Sequence, residues 1–378
     1  MDRPLRVALV TSSYNFIADG VALTLNRLVG YLLDHGVEVR VFAPVAPVPA
    51  FAHQGEIVPV PSLPLPGRPE YRLAFGLGGA ANRALKHFQP DIIHIAVPDL
   101  LGHAALAFAE THNIPAVATY HTRYETYLKH YWYLAPLEGL LRSILRRFYG
   151  RCREVYVPSD STRNALLADG LRDNFKPWPR GIDTDRFSPA RRNTAWRERI
   201  GISTGELVVL HVSRLVREKR LDTLTNALKQ LKVPHRAVIV GDGPDRGFAE
   251  RALPNAIFTG FQDGDGLATA YASSDLFIFP SDSESFGNVT LEAMASGLPC
   301  VCADATGSRS LVVDGETGLL ADASDASAFA AHLTRLAEDP ALRRRMGEAG
   351  RMRALTFSWE ETLARMLGYY RALREATT

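Results

Sequence analysis

Two carboxylates, Glu284 and Glu292, stand in the stretch Ser283-Glu284-Ser285-Phe286-Gly287-Asn288-Val289-Thr290-Leu291-Glu292-Ala293 with seven residues between them. The apolar run Leu276 to Phe279 reads as a strand ended by Pro280 and Ser281, and Asn288 to Ala295 reads as a helix. Glu284 then lies in the loop at the strand's C-terminal end, where ligands of open α/β sheets bind, and Glu292 falls one turn into the helix on the same side. A helix start offers free amides and the positive end of a dipole, and Gly287 lets a ligand approach that backbone closely. Two such acceptors suit the hydroxyls of a sugar and a ribose. On its own such a pair is more often a loop glutamate and a helix-surface glutamate in solvent.

A second pair supplies the context. Arg214 and Lys219, in SRLVREKRLD, follow the apolar run Leu207 to Ser213. Cations at a strand's C-terminal end can clamp a pyrophosphate, arginine through its planar fork and lysine as a point charge. A basic turn alone is usually solvated surface. Beside the acidic pair it describes a nucleotide-sugar site.

The elements that must position these residues alternate along the whole chain. Apolar β-branched runs are followed by amphipathic segments, the mark of parallel sheets covered on both faces. Leu5 to Val10 reads as a strand, Leu25, Leu28, Val29 and Leu32 recur at helical spacing before Gly36, and Val37 to Ala43 is the next strand. Between Pro44 and Pro69 the density of prolines predicts a long irregular loop. Strands follow at Asp91 to Ala96, Ala116 to Tyr120 and Glu154 to Pro158. A second series runs through Leu207 to Ser213, Ala237 to Val240, Ile257 to Gly260, Leu276 to Pro280 and Cys300 to Ala303, and closes with helices beyond Asp325. The expected architecture is α/β, with a Rossmann-like domain over residues 1–181, another over 182–357, and a C-terminal helix over 358–378. That helix places Leu363, Met366, Leu367 and Tyr370 on one face, and its packing against the first domain is left open.

Composition excludes several other classes. With 378 residues the chain exceeds the size at which one core keeps growing, and 46% hydrophobic with 22% charged residues suits a soluble globular protein. A net charge of +2 gives no reason to expect nucleic-acid binding. Cys152, Cys300 and Cys302 are odd in number and lack CxxC spacing, so neither a disulfide framework nor a zinc site is expected. The N-terminus lacks the apolar stretch of a signal peptide, and no run approaches the length of a membrane span, so a cytoplasmic location is expected.

The second half resembles family 4 of the retaining GT-B glycosyltransferases, through HVSRLVREKRLDTL, IVGDGPDR, FTGF, YASSDLFIFPSDSESFGNVTLEAMASGLPCV and DGETGLL in the family's order and spacing. The resemblance implies two Rossmann-like domains facing across a cleft, with a nucleoside-diphosphate sugar bound between them. It implies that Arg214 and Lys219 bind the diphosphate, that Glu292 binds the ribose, and that Glu284 holds the donor hexose with the amides of Phe286 and Gly287. In the first half, Asp19-Gly20-Val21 falls where the family keeps a glycine near the donor phosphates, and His121 in ATYHTRYETYLKHY falls where it keeps a histidine at the edge of the sugar pocket. His121, Arg214, Lys219 and Glu284 are thus the implied catalytic set. Relatives carry paired glycines in the first loop, whereas here Gly20 stands beside Asp19. Asp183-Thr184-Asp185 and Asp263-Gly264-Asp265 look like metal-binding DxD motifs but follow no suitable strand, and no metal or other cofactor is expected.

The acceptor is less sharply marked. Leu137, Leu140, Leu141, Ile144, Leu145 and Phe148 form an apolar stripe in a segment crowded with Arg142, Arg146, Arg147, Arg151 and Arg153. Such a helix over residues 137–153 can lie on an anionic membrane or pack into a core with a solvated basic face. YHTRYETYLKHY, PWPRGIDTDRFSP and YASSDLFIFPSDSE are similar to the subgroup of bacterial lipid mannosyltransferases and plant sulfoquinovosyl-diacylglycerol synthases. That favours a lipid acceptor, a peripheral position at the inner membrane face and GDP-mannose as donor, with UDP-glucose or UDP-glucuronate close behind. A soluble or polysaccharide-precursor acceptor, a non-hydrolysing sugar-nucleotide epimerase and a non-catalytic sugar-nucleotide-binding module are the alternatives.

Overall fold

The computed structural model describes residues 3–16, 20–46, 48–65, 68–120, 138–284 and 286–377. The chain divides into two compact units, one of Met1–Trp178 with Glu360–Thr378 and one of Pro179–Trp359.

In the first unit the strands are β1 (Arg6–Val10), β2 (Glu38–Ala43), β3 (Glu56–Pro59), β4 (Ser62–Leu65), β5 (Arg68–Ala74), β6 (Ile92–Ile95), β7 (Ala116–Thr119), β8 (Glu154–Val157) and β9 (Phe175–Pro177). Seven of them form a parallel sheet in the order β3-β2-β1-β6-β7-β8-β9, while β4 and β5 pair antiparallel in a separate ribbon. The chain runs outward from β1 to β3 and then returns to the other side of β1, so the order reverses between β1 and β6.

The long irregular loop expected over Pro44 to Pro69 is therefore corrected, because β3, β4 and the start of β5 lie inside it. Proline costs a sheet little where no neighbour needs its missing N–H. Pro59 closes β3, an outermost strand, and Pro64 belongs to a two-stranded ribbon. The prolines mark edges here.

Alternation of side chains across the sheet separates two packing faces. Ile93, Ile95, Val155 and Val157 join Leu85, Leu106, Phe148 and Leu166 from the helices Gly78–Phe88, Leu100–Thr111, Glu138–Arg151 and Asp160–Ala168. His94 and Tyr156, one residue out of phase, meet Tyr370 of the helix Trp359–Glu375, and His94 Nδ1 lies 2.6 Å from the Tyr370 hydroxyl. Leu363, Met366, Leu367 and Tyr370 of that helix are all buried.

The second unit holds β10 (Val208–Val212), β11 (Arg236–Val240), β12 (Ile257–Gly260), β13 (Leu276–Phe279), β14 (Cys300–Ala303) and β15 (Gly318–Ala321), all parallel, in the order β12-β11-β10-β13-β14-β15. One face carries the helices Gly264–Ala272 and Asn288–Ala295, with Tyr271, Leu291 and Met294 against Leu210, Phe277 and Cys300. The other carries Leu221–Gln230 and Ala326–Glu338, with Leu224, Phe329 and Leu333 against Val209, Ile239 and Ile278. The chain winds one way from β10 and the other way from β13, so this sheet reverses between those two neighbours. A crevice outside the carboxyl ends of such strands is where doubly wound sheets bind ligands.

Candidate functional site

The loops leaving β10 and β13, together with the helix Asn288–Ala295 that follows the second, carry every site residue expected in the second unit. The two strands pair over Val209↔Leu276 and Leu210↔Phe277, and then each enters its own loop.

After β10, Arg214 is exposed, and its guanidinium has no ion pair or hydrogen bond to another described residue. The turn beneath it is held by backbone: the Ser213 amide donates to Val240 O at 3.1 Å, the Leu215 amide to Asp242 O at 2.9 Å, and the Asp245 amide to Leu215 O at 3.1 Å. Two glycines permit this contact. A Cβ on Gly241 would stand 1.8 Å from the Ser213 carbonyl oxygen and one on Gly243 would stand 2.3 Å from that of Leu215, and Gly241 also has φ +127. Only glycine fits there, since no side chain can occupy that space.

A single 3-10 turn, Arg217–Lys219, then delivers Lys219. Its ammonium pairs with Glu284 Oε1, and the next residue, Arg220, pairs with Asp282, with Nε 3.1 Å from Oδ2. Ser283 Oγ donates to Glu218 O at 3.3 Å. The cationic loop and the acidic loop are thus laced together by two ion pairs and a hydrogen bond.

After β13, Glu284 leads toward the helix Asn288–Ala295. Gly307 presses on it from the next loop, where a Cβ would come within 2.9 Å of the Glu284 carbonyl oxygen. The Phe286 side chain is buried against Phe357, ring centroids 6.0 Å apart, which anchors the backbone just before the helix. Gly287 has φ +94, a left-handed conformation that disfavours any side chain, and caps the helix start. First-turn amides of a helix have no intrahelical acceptor and face outward as anion or hydroxyl donors.

Glu292 is part-buried, and burial pushes its carboxyl up to about 7 against the pull of one hydrogen bond. That bond comes from the hydroxyl of fully buried Tyr271, 3.0 Å from Oε2. Tyr271 in turn packs on Phe187 and Phe277. A buried carboxyl with one oxygen held by the protein keeps its remaining acceptor capacity for a ligand donor.

The second unit therefore places Arg214 and Lys219 after β10, and Glu284, Phe286, Gly287 and Glu292 after its neighbour β13, with Lys219 and Glu284 in direct contact. In the first unit, Gly20 opens the helix Gly20–Asp34, which follows β1 at that sheet's own reversal, and is exposed. Asp19 and His121 lie outside the described residues. Of the DxD-like segments, Asp183 accepts the Arg186 amide at 3.0 Å and Asp265 pairs with Arg191 at 3.0 Å. Among the described residues no three His, Cys, Asp or Glu converge as a metal site requires, and the three cysteines are free and buried. Sequence reading missed Gly241, Gly243, Gly307 and Tyr271, whose contacts join segments distant in the chain. The glycines of GDGP after β11 were a visible signal for close backbone approach, although their contact, the Arg214 turn, was not.

Two doubly wound parallel sheets of this kind are the GT-B architecture, and the chain belongs to the GT-B glycosyltransferases: residues 18–186 match Glycosyltransferase Family 4 and residues 192–353 match Glycosyl transferases group 1. Among curated proteins it is 34% identical to a GDP-mannose-dependent alpha-mannosyltransferase of Mycobacterium tuberculosis, covering 99% of this chain and 98% of the relative. It is 32% identical to the sulfoquinovosyl transferase of Arabidopsis thaliana, covering 95% of this chain and 72% of the relative. An alpha-monoglucosyldiacylglycerol synthase of Streptococcus pneumoniae is 28% identical over 79% of this chain and 70% of its own length. Sucrose-phosphate synthase from Thermosynechococcus elongatus has the same fold, with a TM-score of 0.81 at 23% identity over 98% of this chain and 100% of that one.

Proposed function

We propose that this glycosyltransferase moves a hexosyl group, mannose from GDP-mannose in the favoured case, to a lipid acceptor with retention of anomeric configuration and without a metal ion. The observation that carries the reading is the placement of two cations after β10 and two carboxylates after β13, on the neighbouring strands where the sheet order reverses. Relatives named for GDP-mannose, for sulfoquinovosyl transfer and for glucosyldiacylglycerol synthesis support the donor and acceptor classes.

In the reaction the bond from the anomeric carbon to the β-phosphate oxygen breaks, leaving negative charge on the diphosphate and positive charge on the sugar. The acceptor hydroxyl forms the new bond on the face the phosphate leaves, and its proton passes to the departing phosphate. Arg214 and Lys219 stabilise that charge, and each preorganised donor aimed at developing charge is worth about 3 kcal/mol. They carry the charge that a divalent cation carries in other transferases. Glu292 accepts from the ribose and Glu284 with the helix-start amides holds the hexose, while the family resemblance alone gives Gly20 and His121 as further contacts to the donor.

For the acceptor we propose a peripheral position on an anionic inner membrane face through the helix Glu138–Arg151. Its Leu145 and Phe148 are core residues, and Leu141 packs partly buried against that core. Leu140 and Ile144 are 60% and 41% exposed, with Arg147 also exposed, and these remain for a membrane surface. No helix among the described residues is long and apolar enough to cross a membrane.

Incubating the purified protein with radiolabelled GDP-mannose, UDP-glucose or UDP-glucuronate and a lipid extract, then separating the lipids by thin-layer chromatography, tests the reading. Label in a lipid band supports it. Label only in a soluble saccharide, an epimerised nucleotide sugar, or none in any product points to the other readings.

A further inference from the structure

His211, on β10, is fully buried and is not among the residues proposed to touch the donor. One position beyond the last β10–β13 pair, its Nδ1 stands 3.0 Å from the Ile278 carbonyl oxygen on β13. Its Nε2 stands 2.8 Å from the hydroxyl of Ser213, the residue before Arg214. The Arg214 carbonyl oxygen, 3.1 Å from the same hydroxyl, is the other acceptor within reach of its single proton, and the ring nitrogen is the nearer of the two. The imidazole is inclined 27° to the Phe279 ring, with centroids 5.9 Å apart. A single side chain therefore runs from the backbone of one reversal strand to the first residue of the cationic turn that follows the other.

Burial pushes the His211 imidazole down to about 4, so it is neutral and carries one ring proton near pH 7. A carbonyl only accepts, which assigns that proton to Nδ1 and leaves Nε2 to accept from the Ser213 hydroxyl. Both ring nitrogens are then satisfied, and neither is available to a substrate. The role open to His211 is geometric.

We infer that His211 and Ser213 are positioning residues that hold the Arg214 turn at a set distance from the Ile278 backbone, and thereby set how tightly the diphosphate of the donor is gripped. The inference rests on the donor-site reading proposed above. Behind the same turn, the Gly241 and Gly243 contacts fix it against β11. His211 supplies the corresponding hold against β13, the strand that leads to Glu284.

The test measures binding of GDP and GMP, and of UDP and UMP, by calorimetry for the parent and for Arg214→Ala, Ser213→Ala, His211→Asn and His211→Leu, with a thermal melt of each. Ser213→Ala and His211→Leu should weaken whichever diphosphate the parent binds by about three- to tenfold, the size of one lost hydrogen bond. The monophosphate should weaken less, so the preference for diphosphate shrinks. His211→Asn, whose amide can still donate to the Ile278 carbonyl, should recover part of the loss. If His211→Leu fails to fold, Ser213→Ala and His211→Asn carry the test. Parent-like diphosphate binding in both, with Arg214→Ala weakened, overturns the inference and leaves the donor site standing. Equal losses for mono- and diphosphate also overturn it, because a general structural defect predicts them. Parent-like binding in Arg214→Ala as well brings down the donor-site reading and the inference with it.

Discussion

Lys219 and Glu284 are ion-paired across the loops that leave β10 and β13, although they stand 65 residues apart in the chain. The group proposed for the diphosphate and the group proposed for the hexose thus satisfy each other. A diphosphate reaching Lys219 competes with a carboxylate already there, and a sugar hydroxyl reaching Glu284 meets an acceptor whose charge is shared. With side chains about a fifth and a quarter exposed, the pair is partly screened, so the competition is modest.

The pair makes opposite predictions for nucleotide and for sugar. In Glu284→Ala, free GDP or UDP should bind as tightly as in the parent or up to about fivefold tighter, since a competing carboxylate worth no more than about 1 kcal/mol is gone. Turnover of the nucleotide sugar should fall at least 100-fold, the scale seen when a transition-state contact is removed. Calorimetry and initial rates check this. Weaker binding of the free nucleotide would show that Glu284 supports Lys219 instead of competing with the ligand.

Glu292 links stability to pH. Its carboxyl, at about 7 in the folded protein against an ordinary 4.5, holds its proton more tightly when folded. Stability from this group is full below 4.5 and is lost as pH rises through 7. Glu292→Gln should therefore be more stable than the parent by on the order of 2 kcal/mol at pH 8 and close to it at pH 5. Hydroxyls favour the ionised acceptor, so the parent's donor KM should fall between pH 6 and pH 8 and that of the variant should stay flat. Urea unfolding and donor kinetics at the two pH values decide it. A variant less stable than the parent at pH 8 contradicts the account.

Gly241 is the test of how the Arg214 turn is built. Alanine there would combine a backbone conformation that side chains rarely adopt with a Cβ driven into the Ser213 carbonyl. Gly241→Ala should cost about 3 kcal/mol or more, counting the backbone conformation alone at about 1–3. An unchanged urea midpoint would mean that the turn is not clamped as described.

Much of the fold could be read from the chain because parallel strands buried on both faces are continuous apolar runs, as in Leu276 to Phe279 and Val208 to Val212. Edge and short strands were hidden for the opposite reason. β3 and β4 carry Pro59 and Pro64 where proline costs nothing, β9 has three residues, and β15 starts on Gly318. The candidate site divides in the same way. Glu284, Gly287 and Glu292 are legible together since one strand-turn-helix holds them. The Lys219–Glu284 pair, the Tyr271 bond to Glu292 and the His211 bond to Ile278 are products of sheet order, which brings β10 beside β13 across 67 residues. Local pattern carries no record of such neighbours.

The central claim is a cationic grip on two linked phosphates, and the most direct measurement is the rate of hexosyl transfer by the Arg214→Ala, Lys219→Ala double variant at limiting donor. Two donors worth about 3 kcal/mol each should lower kcat/KM by at least 1000-fold after allowing for non-additivity. A folded double variant that transfers sugar as fast as the parent contradicts the account.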